Sequence, residues 1–379
     1  MITKEIKTPI RVLEVIRQGQ VGGGESHLLD LVMGLEKNLI HPTILSFTNG
    51  EMIQTLQEQG FTCYVINSKK PFDFHVIKEI TKILKKESIE IIHAHGSRAA
   101  SNIILIASLL NIPVIYTVHG WSFHKENQSW LTYRLRTLSE KIICKFSKQV
   151  ICVSKSNYQT GQQVFSLQQA EIINNGINLD KFNPNRNFNN IRKELNMDSN
   201  DFVIALIGRI TAQKDPLTFI KSIQIANAQN SHIKGLLVGE GDLKEEAIKY
   251  IQEHNLSSIF YICNFRKDVP DLLNAIQVFC LPSLWEGLSI ALLEAMAMKK
   301  AIVATPTDGT IEIIIPEING KIAPFNNPKA LSQMYLEYLK KPTIMIKYGN
   351  NAYDLVSQKY NSQDVSKKVS HIYQTIVNR

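Results

Sequence analysis

The chain has 379 residues, 44% hydrophobic and 20% charged, with a formal net charge of +8. That length and apolar share allow two buried cores. Five cysteines (Cys63, Cys144, Cys152, Cys263, Cys280) without a C-x-x-C pair speak against a disulfide framework or a structural zinc site, and for a reducing, cytoplasmic compartment.

The N-terminal MITKEIKTPIRVLEVIRQG has one short apolar stretch flanked by charges, which is read as a strand and not a secretory leader. Strands are then expected at 11–16, 43–47, 62–66, 90–93, 114–118, 149–153 and 171–173. Helices are expected at 25–36, 51–59, 74–86, 98–110 and 130–146. Residues 99–118 carry no charge and approach membrane-spanning length. Asn111 and Pro113 cut them into a buried helix and a buried strand. The Asn-rich NLDKFNPNRNFNN (178–190) lacks periodicity and is read as a linker. Alternation then restarts, with strands at 202–207, 235–238, 260–263, 278–281 and 301–304. Helices follow at 216–227, 244–254, 269–274 and 289–298, with a polar terminal helix at 363–377.

This βαβα alternation predicts two doubly wound α/β domains. They are placed at 1–180 and 181–362, with 363–379 a helix packing back towards the first. Ligands of such sheets lie in loops at the carboxyl ends of strands, near helix N-termini. Gly22, Gly23 and Gly24 fall there after the first strand, where bare backbone N–H groups can approach an anion. The run is not G-x-G-x-x-G. GRITAQK supplies Arg209 and Lys214, two cations able to neutralise a diphosphate. LPSLWEGLSIALLEAMAM places Glu286 before a helix and Glu294 within it, on a face that reads as buried. A carboxylate there needs a partner, and a ribose diol offers two donors. His119 closes a strand, placed to meet a substrate hydroxyl, while His95 in the same kind of position reads rather as a satisfied structural histidine.

The net charge fits either a nucleic-acid binder or an enzyme at an anionic membrane. From Lys125 to Lys155 seven basic residues face two acidic ones, Glu126 and Glu140. Within that stretch 130–146 interleaves Trp130, Tyr133, Leu135, Leu138, Ile142, Ile143 and Phe146 with Arg134, Arg136, Lys141 and Lys145. Such a helix suits an anionic membrane surface.

In order along the chain, GGGESHLLDL, IIHAHG, TVHGW, ICVSKS, INNGIN, GRITAQKDP, LLVGEGDL, LPSLWEGLSIALLEAMA and TDGTIEIIIPEINGKIAP resemble the GT-B glycosyltransferases. Within them they are similar to the family 4 retaining enzymes of the polysaccharide-assembly type. The resemblance runs from Gly22 to Pro324 and implies two Rossmann-like domains whose parallel sheets face across a cleft. It implies that Glu286 faces the donor sugar and that Glu294 binds the ribose. Arg209 and Lys214 would hold the diphosphate, and His119 the transferred sugar near its C6 hydroxyl. Gly22–Gly24 would close over the phosphates, and Gly208, Gly239, Gly287, Leu288 and Ser289 would complete the donor site. One departure is Asp308-Gly309, where the family often has two adjacent glycines.

The resemblance further implies retention of configuration without a metal or other cofactor, and no Asp-x-Asp occurs. The donor is expected to be a UDP-sugar, with a GDP-sugar as the alternative, and the acceptor a saccharide, lipid-linked, for a bacterial surface polysaccharide at the inner face of the membrane. A nucleotide-sugar 2-epimerase would need acid/base pairs for proton chemistry, and Glu286/Glu294 spacing speaks against it. A two-lobed binding protein would usually be exported. A nucleic-acid binder would leave the glycine and Glu-x7-Glu motifs unexplained, so no nucleic-acid partner is expected.

Overall fold

The computed structural model describes residues 8–20, 22–123, 129–167 and 169–378. Val21 of the glycine run, and Lys125 and Glu126 of the basic stretch, lie outside them. The chain divides into two compact units, Met1–Gly176 with Ser362–Arg379, and Ile177–Asn361. The expected linker is not a tether but part of the second unit. Its Asn178 and Asn183 carboxamides accept the N–H groups of Asp180, Lys181 and Asn185, the short-range bonds that make asparagine a turn former. Phe182 is buried, and Asp271 accepts both the Arg186 guanidinium at 2.6 Å and the Asn189 N–H at 2.7 Å. The division therefore falls at 176/177, not at 180/181.

Among the described residues, the first unit holds a seven-stranded parallel sheet in the order β3-β2-β1-β4-β5-β6-β7. The strands are β1 (Ile10–Ile16), β2 (Ile40–Ser46), β3 (Thr62–Val65), β4 (Ile91–His95), β5 (Val114–Val118), β6 (Gln149–Cys152) and β7 (Ala170–Ile172). The crossovers carry α1 (Gly23–Gly34), α2 (Glu51–Glu58), α3 (Ile77–Lys86), α4 (Ser97–Leu109), α5 (Trp130–Phe146) and α6 (Lys155–Phe165). The second unit begins with the short α7 (Ile191–Glu194). Its parallel sheet has the order β10-β9-β8-β11-β12-β13, from β8 (Phe202–Ile207), β9 (Ile233–Val238), β10 (Phe260–Cys263), β11 (Val278–Leu281), β12 (Ala301–Ala304) and β13 (Lys321–Ile322). Helices α8 (Pro216–Asn227), α9 (Lys244–Glu253), α10 (Val269–Ala275), α11 (Ile290–Ala297), α12 (Asp308–Ile313), α13 (Pro328–Lys340) and α14 (Pro342–Lys359) complete it. The chain then returns to the first unit as α15 (Ser362–Ile376). In each unit the order reverses beside the first strand, which is the switch point where doubly wound sheets bind ligands.

Both faces of each sheet are covered, so the strands are nearly continuous apolar runs. In the first unit, period-two alternation sends Leu13, Val15, Ile92, Ala94, Tyr116 and Val118 to a core that includes α3 and α4. Ile10, Val12, Ile91 and Ile115 face the other way, against Leu31 of α1, Leu35 just after it, and Val365, Val369 and Tyr373 of α15. The uncharged stretch 99–118 resolves into α4 and β5, parted where Asn111 takes a positive φ of 55°. Among the described residues no helix is long and apolar enough to cross a membrane.

Candidate active site

On the α1/α15 face of the first sheet the alternation inserts polar groups among the apolar ones. Glu14 of β1 pairs in register with His93 of β4, Ile16 with His95, and His95 with Thr117 of β5. Glu14, His93, His95 and Thr117 are all buried, so each needs a partner. Tyr373 of α15 donates its O–H to Glu14 Oε1 at 2.7 Å. Its oxygen is then the acceptor for His93 Nδ1–H at 2.6 Å, and His93 Nε2 accepts from the Thr117 hydroxyl at 2.7 Å. His95 Nε2–H donates to Glu14 Oε2 at 2.9 Å, which leaves its Nδ1 to accept from His119 Nε2–H at 3.3 Å. One assignment of hydrogens satisfies every member, and a satisfied buried network holds its side chains rigidly.

His27 of α1 completes the cluster, its ring 4.9 Å from that of His119 and edge-on. Burial, and then the neighbouring His95, push its pKa down to about 3. Burial, and then the surrounding imidazoles, also hold His93 and His119 well below the usual range. These rings are neutral at physiological pH. One ring nitrogen each from His27, His95 and His119 lie within 4.8 Å of one another, as do ligand atoms of Glu14, His93 and His95. His119 remains partly exposed. Above it, a Cβ on Gly24 would be in ordinary contact at 3.7 Å, and one on Gly23 would meet nothing within 4 Å. The glycines therefore leave space that the chain itself does not fill. Fully buried Glu140 of α5 steadies the loop after His119, accepting from Tyr116 OH at 2.8 Å and from the Ser122 N–H at 3.2 Å.

In the second unit the loops after β8 and β11 meet at the switch point. Gly208 and Gly239 have φ of 154° and 142°, and a Cβ on Gly239 would lie 1.9 Å from the Gly208 carbonyl oxygen. Only glycine fits there. The chain turns through Ala212–Lys214 into α8, which Asp215 caps by accepting the Thr218 N–H at 3.2 Å, with Pro216 in the first turn. This brings Lys214 onto Glu286 as an ion pair with both side chains largely buried. Ser283 Oγ donates to Glu286 Oε1 at 2.7 Å and Gln213 Nε2 to Oε2 at 3.3 Å. Gln213 also ties the two loops together through the Trp285 carbonyl at 2.8 Å. Arg209 is exposed beside them.

Helix α11 starts at Ile290 with Ser289 as its N-cap residue. Leu288 and Ser289 are buried and Gly287 partly so. Glu294 lies in the second turn and, contrary to the buried face expected, is partly exposed, while Leu292, Leu293, Ala295 and Met296 are buried. A Cβ on Gly309 would sit 1.8 Å from the Gly287 carbonyl oxygen and 2.8 Å from the Leu288 N. The single glycine of Asp308-Gly309 is thus what lets the start of α12 seat against the Gly287 turn.

The expected residues fall in two sets. Gly24, His95 and His119 gather in the first unit, and Gly208, Lys214, Gly239, Glu286 and Gly287 in the second. Sequence reasoning missed Glu14, His27, His93, Tyr373, Ser283 and Gln213, and singled out Gly309 only as a departure from the family pattern. Glu14 was signalled by a carboxylate inside the apolar VLEVI, and His93 by its i, i+2 spacing from His95. Nothing local marks Tyr373 as a partner of β1.

Two family models match the chain. "Glycosyltransferase Family 4" covers residues 21–181 and "Glycosyl transferases group 1" covers 187–355. An Escherichia coli UDP-Gal:alpha-D-GlcNAc-diphosphoundecaprenol alpha-1,3-galactosyltransferase is 29% identical over 268 residues, 67% of either chain. The Campylobacter jejuni N,N'-diacetylbacillosaminyl-diphospho-undecaprenol alpha-1,3-N-acetylgalactosaminyltransferase is 25% identical over 86% of this chain and 89% of its own. In architecture the chain is similar to Anabaena HepE, crystallised with UDP and glucose, with a TM-score of 0.82 at 18% identity over 96% of this chain and 99% of that one. With both models matched in order on two Rossmann-like units, the chain belongs to the GT-B glycosyltransferases of family 4.

Proposed function

We propose that the chain moves a sugar from a UDP-sugar to a lipid-linked saccharide acceptor, with retention of configuration and without a metal, in the assembly of a bacterial surface polysaccharide. The observation that carries this reading is the joined pair of loops in the second unit, where Lys214, Glu286, Ser283 and Gln213 are locked together beside exposed Arg209. Diphosphate departure builds negative charge, and Arg209 and Lys214 are assigned to receive it. Glu294, partly exposed, is assigned the ribose diol, and Glu286 the donor sugar. Gly208, Gly239, Gly287, Leu288 and Ser289 shape the donor loops.

In the first unit, His119 is assigned a hydroxyl of the transferred sugar, which its bare Nδ1 suits as an acceptor, and Gly22–Gly24 are assigned to phosphate and acceptor. No side chain is assigned as a double-displacement nucleophile. The phosphate oxygen takes the acceptor proton on the face from which it leaves. The galactosyl- and N-acetylgalactosaminyltransferase relatives act, by their names, on diphospho-undecaprenol sugars, which supports a lipid-linked acceptor here. Helix α5 supports work at the inner face of the membrane. Trp130, Leu131, Leu135 and Leu138 are each more than half exposed, among the exposed Arg134, Arg136, Lys141 and Lys145.

The test is incubation with a panel of nucleotide sugars and undecaprenyl-diphosphate saccharides, following nucleotide release and the anomeric configuration of the product. A UDP-sugar should release UDP and give the retained anomer. An inverted product, or isomerisation of the sugar without transfer, would sink the proposal.

A further inference from the structure

We propose that His27, His95 and His119 form a site for a borderline divalent metal ion, zinc foremost, that inhibits the enzyme and takes no part in transfer. The site stands on its geometry, and the inhibition rests on the role assigned above to His119.

Zinc–nitrogen bonds of about 2.0–2.1 Å in a tetrahedron set ligand nitrogens about 3.3 Å apart. His95 Nδ1 and His119 Nε2 are already 3.3 Å apart. One ring nitrogen each of His27, His95 and His119 lie within 4.8 Å of one another, so modest side-chain rotations close the triangle. The surroundings are those of a metal ligand. His95 donates its other ring N–H to the Glu14 carboxylate, the arrangement that fixes a ligating histidine's orientation and raises its basicity. Tyr373 holds Glu14 in turn. Burial keeps His27 and His119 unprotonated, so neither carries an imidazolium proton for zinc to displace. The hydrogen on His119 Nε2 moves to Nδ1 by tautomerisation, with no net proton released.

Three imidazoles select zinc, copper, nickel or cobalt over magnesium or calcium. Partly exposed His119 leaves the trio open on one side, where a water can take the fourth position. The alternative trio, Glu14, His93 and His95, is fully enclosed, and its ring nitrogens and carboxylate are engaged by Tyr373 and Thr117.

The test uses the full chain stripped of metal, titrated with zinc against a chromophoric chelator. Wild type should bind one zinc at this site. His27→Ala and His95→Ala should each weaken it about 100-fold or more, and Glu14→Gln about 10- to 100-fold. His27→Ala carries the comparison, because the His27 ring packs on His95 and His119 outside the hydrogen-bond chain, and circular dichroism checks its fold. Cobalt in place of zinc should give the visible absorption of a nitrogen-ligated ion, lost in His27→Ala. Magnesium should not compete. Saturating zinc should stop UDP release, and chelator should restore it. No saturable zinc binding in wild type, or equal binding in His27→Ala, overturns the site. His27-dependent binding that leaves transfer untouched supports the site and counts instead against His119's part in transfer.

Discussion

Replacing Lys214 with methionine removes a cation and keeps most of its apolar stem. In the free enzyme the first consequence falls on Glu286, whose carboxylate has little solvent access and loses its ion-pair partner. Breaking a fully buried pair costs about 3–5 kcal/mol. Here Ser283 and Gln213 still donate to the carboxylate, so a loss of about 1–3 kcal/mol is expected. For a unit of this size that is a melting shift of about 3–9 °C. The second consequence falls on the reaction. A charge-assisted contact to the departing diphosphate is worth about 2–4 kcal/mol, or about 30- to 1000-fold in kcat/KM. The two effects separate in Lys214→Met/Glu286→Gln, which removes the stranded carboxylate. That variant should recover most of the melting temperature and none of the activity. UDP release under steady state, beside thermal melts monitored by circular dichroism, measures both. A Lys214→Met enzyme with a lowered melting temperature and wild-type kcat/KM would refute the diphosphate role and leave Lys214 as a structural partner of Glu286.

Glu294→Ala should weaken UDP binding by about 10- to 100-fold, read by calorimetry, and unchanged affinity would remove it from the ribose. Transfer should persist in excess EDTA, and activity that is lost in chelator and returns with magnesium or manganese would show a metal requirement. Wild-type protein should float with anionic vesicles at low salt, and charge reversal at Arg134, Arg136, Lys141 and Lys145 should release it. Protein that stays down with anionic vesicles would rule out membrane docking by α5. Acid should destabilise the first unit. The unfolded chain protonates His27 below about pH 6.5, while the folded ring resists to about 3, so stability is complete above pH 6.5 and falls as pH drops through that window. The slope is about 1.4 kcal/mol per pH unit per ring, with His93 and His119 adding in the same direction. Equal urea midpoints at pH 7 and pH 5 would contradict this.

The parallel sheets were legible because each strand is a short apolar run closed by a loop, and because Asp215-Pro216 marks the start of α8 from local chemistry alone. Helices α13 and α14 follow directly on one another, each with a proline in its first turn, and this polar stretch escaped the alternation that located the rest. Most of the site residues found follow strands, since topology puts chemistry there, although Gln213 and Ser283 in the same loops went unmarked. Glu14 and His93 were hidden by the same rule, because they lie inside strands that read as core. Tyr373 could not be found locally, since its hydrogen bond to Glu14 spans 359 residues. The Glu286–Lys214 pair was read as two separate ligands of a donor, because spacing along the chain does not reveal that the loops after β8 and β11 touch.

That span between Glu14 and Tyr373 also sets an order of events during synthesis. A ribosome adding about 5–20 residues per second delivers Tyr373 about 20–70 s after Glu14. In the interval the whole second unit, Ile177–Asn361, emerges and can fold, while the first sheet waits with the α15 side of one face uncovered. That face is where Leu31, Leu35, Ile40 and Ile91 later meet Val365, Val369 and Ile372. Until α15 arrives, the nascent chain therefore carries an open apolar surface with a carboxylate and two imidazoles at its centre. A stop codon or a proteolytic cut ahead of Ser362 would leave the second unit whole and make that exposure permanent.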